Sequence, residues 1–139
     1  MDTTIFSQLP WLHILVAAVA YFLLGAIWYS FLFQKQWIAY HGIDMSNPEA
    51  KKGAGGVMAF SFVLFFIATT GLAILIERLN LSGALSGIKL GLFTGFFFSM
   101  MALSITYLYL QRPFGLHLID GLYHITGQAI AALILCVWQ

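Results

Sequence analysis

The 139 residues are 61% hydrophobic and 8% charged, with a formal net charge of +1 and a mean hydropathy of +0.92. A soluble domain carries about 25% charged residues, so this chain cannot clothe a water-facing surface. The small net charge, with no Lys/Arg track, excludes a nucleic-acid groove, and a single cysteine, Cys136, excludes both an intrachain disulfide and a thiolate metal motif.

Four continuously apolar stretches account for nearly all of the chain. Each exceeds the roughly 20 residues that cross a bilayer core as a helix. Barrel strands would alternate over about 10 residues with polar partners, and no such alternation is present. The first helix is expected over 11–33. No basic region precedes it, and its apolar run is longer than that of a cleavable signal, so it is expected to remain as an anchor. His13 falls near its outer end and is expected at the interface. Trp28, Tyr29 and Trp37 flank its inner end, where amphipathic rings prefer the headgroup region.

The segment 34–53 holds Lys35, Lys51 and Lys52, with Trp37, Ile38 and Tyr40 placed to lie on the membrane surface. Ser46-Asn47-Pro48-Glu49 reads as a helix start, with proline in the first turn and Glu49 reaching back. The second helix is expected over 48–77. The third, over 82–110, repeats Gly83, Gly87, Gly91 and Gly95 at every fourth position, and Ser99 continues the row. Glycine costs about 1 kcal/mol against alanine inside a helix, so four on one track point to close helix packing, within the chain or between copies. Lys89 intrudes on the outer half of this helix. Glu77 is its expected ion-pair partner, with snorkelling to the outer headgroups as the alternative.

The fourth helix, over 114–138, carries His117, Asp120, Gly121, His124, Gln128, Ala131 and Ala132 on one face. Taking Thr126 as the middle, Asp120 lies about 9 Å inward and His124 about 3 Å. An aspartate at helix centre costs ~2.5 to 3.5 kcal/mol on insertion, so this face must look at protein or water. Asp120 and His124, four residues apart, can satisfy each other, with Tyr29 and Trp28 at similar depth.

Loops one and three hold Lys35, Lys51, Lys52 and Arg112, against Arg78 in loop two. Positive loops stay cytoplasmic, which puts both termini on the outer side. The fold expected is an all-α membrane protein, one four-helix transmembrane domain. The leading function is a homo-oligomeric channel or transporter for a small ion or solute. Its inner vestibule would be lined by Trp28, Tyr29, His117, Asp120, His124 and Gln128. The rival is a structural or partner-binding membrane protein packed through the glycine row. A metal or haem protein is a third reading. His117 and His124 are about 10.5 Å apart along the axis and cannot share one ion at ~2 Å, whereas His117 with Asp120, or Asp120 with His124, could with ligands from another helix or another copy. His13, His124 and His117 sit at three depths, so no bis-histidine haem fits within one chain. No cofactor is expected, and no nucleophile–base or phosphate-loop motif is present to suggest an enzyme.

Gly25-Ala26-Ile27-Trp28-Tyr29-Ser30, followed by Phe33, Lys35 and Trp37, resembles the opening signature of a bacterial membrane family. That family is catalogued as domain of unknown function seventeen-sixty-one. Gln34 stands where the family often has glycine. Asp120 to His124, with Gly121 and Tyr123, is similar to the family's final helix, although Leu122 interrupts its G-Y-H run. The resemblance implies four helices in a bacterial inner membrane and implies no activity.

Overall fold

A computed structural model of the chain describes residues 4–138. Those residues are helical with short turns, and among them no strand occurs. Four helices are long and apolar enough to cross a membrane: Trp11–Leu32, Pro48–Arg78, Ala84–Tyr109 and Phe114–Val137. A helix satisfies its own backbone groups, which lipid cannot do. By length and composition the protein is a multi-pass membrane protein.

The fourth span is the hub. Half of it is buried, against 17–22% of the other three. The first, second and third spans all pack on it, and the second also packs on the first. Ile14, Ala17 and Tyr21 meet Leu72, Ala73 and Ile76 and, on the hub, Tyr123, Ala131, Ala132 and Leu135. The second and third spans make no substantial contact with each other.

The glycine row is the seam between the third span and the hub. A Cβ on Gly87 would meet the Ala132 carbonyl at 2.5 Å, one on Gly91 would meet the backbone of Gln128 and Ala129, and one on Gly95 would meet the Ile125 Cα at 2.5 Å. The row therefore packs within the chain. Gly83 does not share this role. It precedes the helix with φ +81°, has open space around it, and donates its N–H to the Cys136 carbonyl at 3.0 Å. Its backbone geometry, not close packing, is what glycine supplies there.

Helix ends obey local chemistry. Gly42 (φ 64°), Asn80 (φ 50°) and Gln111 (φ 52°) adopt left-handed conformations. Each is followed by an amide that reaches five residues back: Ile43 to Ile38 at 3.2 Å, Leu81 to Ile76 at 3.0 Å and Arg112 to Tyr107 at 2.9 Å. These are the six-to-one bonds that close a helix after a left-handed residue. Before the second span, Asn47 caps the turn Pro48–Lys51 by accepting from the Glu49 amide at 3.0 Å. Glu49 does not reach back; it pairs with Lys52 at 3.3 Å in solvent. Ser46 instead donates its hydroxyl and amide to Asp44 at 2.6 and 2.9 Å, which holds the Asp44 carboxyl below the usual carboxylate range. Gly53 (φ 80°) then separates this turn from the helix Ala54–Arg78.

Two spans contain a widened turn, Trp28–Leu32 in the first and Gly95–Met100 in the third. In the first, the Phe33 amide bonds the Trp28 carbonyl at 2.9 Å, five residues back. Such π-turns insert a residue and re-aim the side chains after it. The helix Gln34–His41 then folds against the bundle. Its Tyr40 ring lies over Gly115, and Trp37 meets Tyr29 edge-on at 5.6 Å.

His13 stacks its ring on Trp138 at 4.3 Å, and its Nδ1 is buried. The contact joins the start of the first span to the end of the fourth. The Lys89–Glu77 pair does not form. Both side chains are exposed, and among the described residues the one ion pair is Lys52–Glu49. Holding two long exposed chains together gains about 0–1 kcal/mol, too little to impose a geometry.

Candidate functional site

His117, Asp120 and Gln128 are buried on the inward face of the hub at 5–8% exposure, and His124 is half-buried between them. A helix places residues three, four and seven apart on one side, so the sequence builds this stripe directly. The other spans supply its partners. The Tyr29 hydroxyl donates to Asp120 Oδ1 at 2.7 Å. The Tyr107 hydroxyl donates to Oδ2 at 2.6 Å. Asp120 is thus clasped by one phenol from the first span and one from the third. Among the described residues no basic side chain is within ion-pair distance of it. Two charge-assisted hydrogen bonds, each about twice a neutral one, take the place that water would hold.

One turn along the hub from Asp120, Tyr21, at 1% exposure, places its hydroxyl 2.7 Å from His124 Nδ1. The Tyr123 hydroxyl donates to the Tyr21 carbonyl at 3.2 Å. One turn further along the hub, Gln128 donates its side-chain amide to the Ser99 hydroxyl. Trp28 donates its indole N–H to the Ile119 carbonyl at 3.0 Å, which joins the first span to the hub beside Asp120. His117 packs its ring against Tyr107 at 5.5 Å and Phe114 at 5.9 Å.

The expected Asp120–His124 partnership is therefore replaced. Each group bonds a tyrosine from another span, because Asp120 faces the meeting of the first and third spans while His124 faces Tyr21. Trp28, Tyr29, His117, Asp120, His124 and Gln128 do converge on one seam. Lys89 and Glu77 lie outside it.

The helix Gln34–His41 covers the end of the bundle nearest Asp120. Trp37 and His41 rings meet at 4.3 Å, and His41 Nε2 is buried with no hydrogen-bond partner. Burial holds His41 below the ordinary histidine value. Asp120 acts in the opposite direction, and Arg112 adds to the lowering.

A cleft of about 420 Å³ opens beside His124. Its walls come from the second span (Leu64, Phe65, Ala68) and the third (Ala102, Leu103, Thr106). Its floor is Tyr21, Ser99, His124 and Gln128. Among the described residues, no three His, Cys, Asp or Glu side chains gather as a metal group.

Sequence reasoning passed over three partners. Tyr107 reads as a belt aromatic, and its loop-adjacent position, close in depth to Asp120, is the signal that matches it to the carboxylate. Tyr21, Gly25, Trp28 and Tyr29 fall at positions i, i+4, i+7 and i+8, one continuous face, and that face is the one turned to the hub. Ser99 stands in the glycine row and was legible only as a small residue.

A hub helix with a polar inward face, wrapped by three oilier spans, defines a multi-pass helical membrane protein with an internal polar seam. Residues 12–136 match the family described as protein of unknown function (DUF1761), and the chain belongs to that family. No curated protein and no solved structure matches it.

Proposed function

We propose that the protein is a small carrier or channel that passes a proton or a small solute along the seam of its fourth span. Asp120 bears the charge, with Tyr29 and Tyr107 as its hydroxyl relays. His124, with Tyr21, is the next polar station, and Gln128 with Ser99 the one beyond. The observation that carries the reading is the buried Asp120 held by two phenols and no basic side chain. A carboxyl at membrane depth that is hydrogen-bonded by neutral hydroxyls has no ion pair, among the described residues, for a passing proton or solute to break. The excess of Lys and Arg in loops one and three supports both termini facing outward from a bacterial inner membrane. Four helices leave little room for a full path, which supports a homo-oligomer.

The test is flux in proteoliposomes. Wild-type protein should dissipate a proton gradient, and Asp120→Asn should abolish this while eluting as the same folded species. Absence of wild-type flux under every imposed ion gradient would overturn the proposal. A second reading treats Asp120 as a structural bolt between three spans, favoured by its two hydrogen bonds. It expects no flux from wild type and a loss of stability in Asp120→Asn. Partner docking through the glycine row is the weaker alternative, since Gly87, Gly91 and Gly95 are already covered by the hub.

A further inference from the structure

We infer that the cleft between the second and third spans binds an uncharged, carbonyl-bearing amphiphile that enters sideways from the bilayer. The inference shares His124 with the transport reading and does not depend on Asp120.

Access comes from the architecture. The second and third spans each lean on the hub without substantial contact with each other, so the gap between them opens sideways, and its lining runs from His124 near mid-span to Thr106, three residues from the end of the third span. Ala68 on one wall and Ala102 on the other keep it wide. Its volume of about 420 Å³ falls in the roughly 300–1,000 Å³ range of small-molecule sites.

The floor sets the chemistry. The contact between the Tyr21 hydroxyl and His124 Nδ1 is 2.7 Å, against 3.4 Å to the His124 carbonyl. We assign the hydroxyl as donor along the shorter contact, and with that assignment the imidazole hydrogen is on Nε2. Nε2 has no hydrogen-bond partner among the described residues, is not among the enclosed unpartnered atoms, and belongs to a ring that lines the cleft. It is therefore a donor presented to the cavity. Gln128 donates to Ser99, which leaves the Gln128 carbonyl and the Ser99 hydroxyl hydrogen as further polar groups on the floor, and Phe65 and Tyr21 supply ring surface beside the donor. No Asp, Glu, Lys or Arg lines the cleft, so a charged head finds no counter-charge.

Depth narrows the class further. His124 lies about 3 Å from the middle of its helix. Phospholipid headgroups begin about 15 Å away and cannot reach it. The occupant must carry its hydrogen-bond acceptor into the centre of the bilayer on a hydrocarbon body. A quinone ring with an alkyl tail has that form, and binding requires no electron transfer.

The experiment uses the full chain in lipid nanodiscs and a decyl-substituted benzoquinone labelled with carbon-13 at its carbonyls. Saturable binding above that of empty nanodiscs is expected, with a downshifted carbonyl stretch in the infrared. Ala102→Trp and, independently, Ala68→Trp should fill the mouth and weaken binding by about tenfold or more, which is 1.4 kcal/mol or more. His124→Leu should remove the downshift, and His124→Gln, which keeps a neutral donor, should retain it. A decyl trimethylammonium ion should not compete. Binding no greater than to empty nanodiscs, indifference to both tryptophan variants, or a downshift that survives His124→Leu would each overturn the inference. So would equal competition by a plain alkane, which would mean that the floor recognises nothing. Binding is read without flux: quinone binding with no proton flux sinks the transport reading alone, and flux without binding sinks this one alone.

Discussion

Gly91→Ala adds one methyl group at the tightest point of the seam between the third span and the hub. An ideal Cβ there lies 2.5 Å from the Ala129 amide nitrogen, with the Gln128 carbonyl closer still, whereas ordinary contact is 3.4–4 Å. All three obstructing atoms are backbone, so no side chain can swing aside, and the helices must part by about 1 Å. A radial gap of 0.5–1 Å forfeits roughly a quarter to a half of each dispersion contact, and the contacts at Gly87 and Gly95 lie on the same seam. Overpacking of this kind costs about 1–3 kcal/mol, and immovable backbone places Gly91 at the upper end. Alanine returns about 1 kcal/mol of helix propensity, leaving a net loss of about 2 kcal/mol. Gly71 is the internal control, because its Cβ would meet nothing within 4 Å. There the same substitution keeps the propensity gain of up to about 1 kcal/mol. The two variants should therefore differ by about 3 kcal/mol in reversible unfolding by sodium dodecyl sulfate in mixed micelles, followed by circular dichroism. Equal stability of Gly91→Ala and Gly71→Ala would refute the close-packed seam. A Gly91→Ala that changes only the oligomeric state would reassign the row to an interface between copies.

Removing either phenol of the Asp120 clasp, by Tyr29→Phe or Tyr107→Phe, should cost about 1.5–3 kcal/mol in the same assay. The double variant should cost more than the sum, because it leaves the buried carboxyl with no donor. His41 is held below its ordinary value of about 6.5, so it docks in the neutral form. Its contribution to holding the helix Gln34–His41 in place is complete above that pH and is lost as pH falls through the lowered value. The charged ring quenches the adjoining Trp37, so in a variant that keeps Trp37 alone of the four tryptophans emission should drop with a midpoint below 6.5, and a midpoint at or above 6.5 would contradict the assignment. Gln111, at φ 52°, should gain up to about 1 kcal/mol as Gln111→Gly, seen as a higher detergent fraction at mid-unfolding.

The helices and the polar stripe could be read from residue order because each is set within one segment. Lipid demands self-satisfied backbone over some 20 residues, and a stripe at helical spacing needs no knowledge of its neighbours. The pairings that define the site lie far apart in sequence. Tyr29 and Asp120 are 91 residues apart, and Tyr21 and His124 are 103. Asp120 and His124 looked like partners because they are four residues apart, but nearness along one helix says nothing about which other spans offer a better donor. The π-turns also left no legible trace. Trp28–Leu32 and Gly95–Met100 differ in composition, and what they share is the demand of the hub they face.

The spans also explain why the least apolar helix sits in the middle. Mean hydropathy is 2.0, 2.4, 1.7 and 1.4 from the first span to the fourth, and the fourth is the most buried. In water the oiliest element would move inward. In lipid, leucine-rich surface gains little by being covered, so the element with polar groups takes the centre, where partners can satisfy them. That ordering then constrains the neighbours. Both spans that reach Asp120 contain a π-turn, before Tyr107 in the third and at Tyr29 in the first. An inserted residue turns the following side chains by about 100° relative to a regular helix. Straightening the Gly95–Met100 turn by deleting one residue should therefore rotate Tyr107 away from the carboxylate and strip Asp120 of half its donors, while leaving span length and hydropathy almost unchanged.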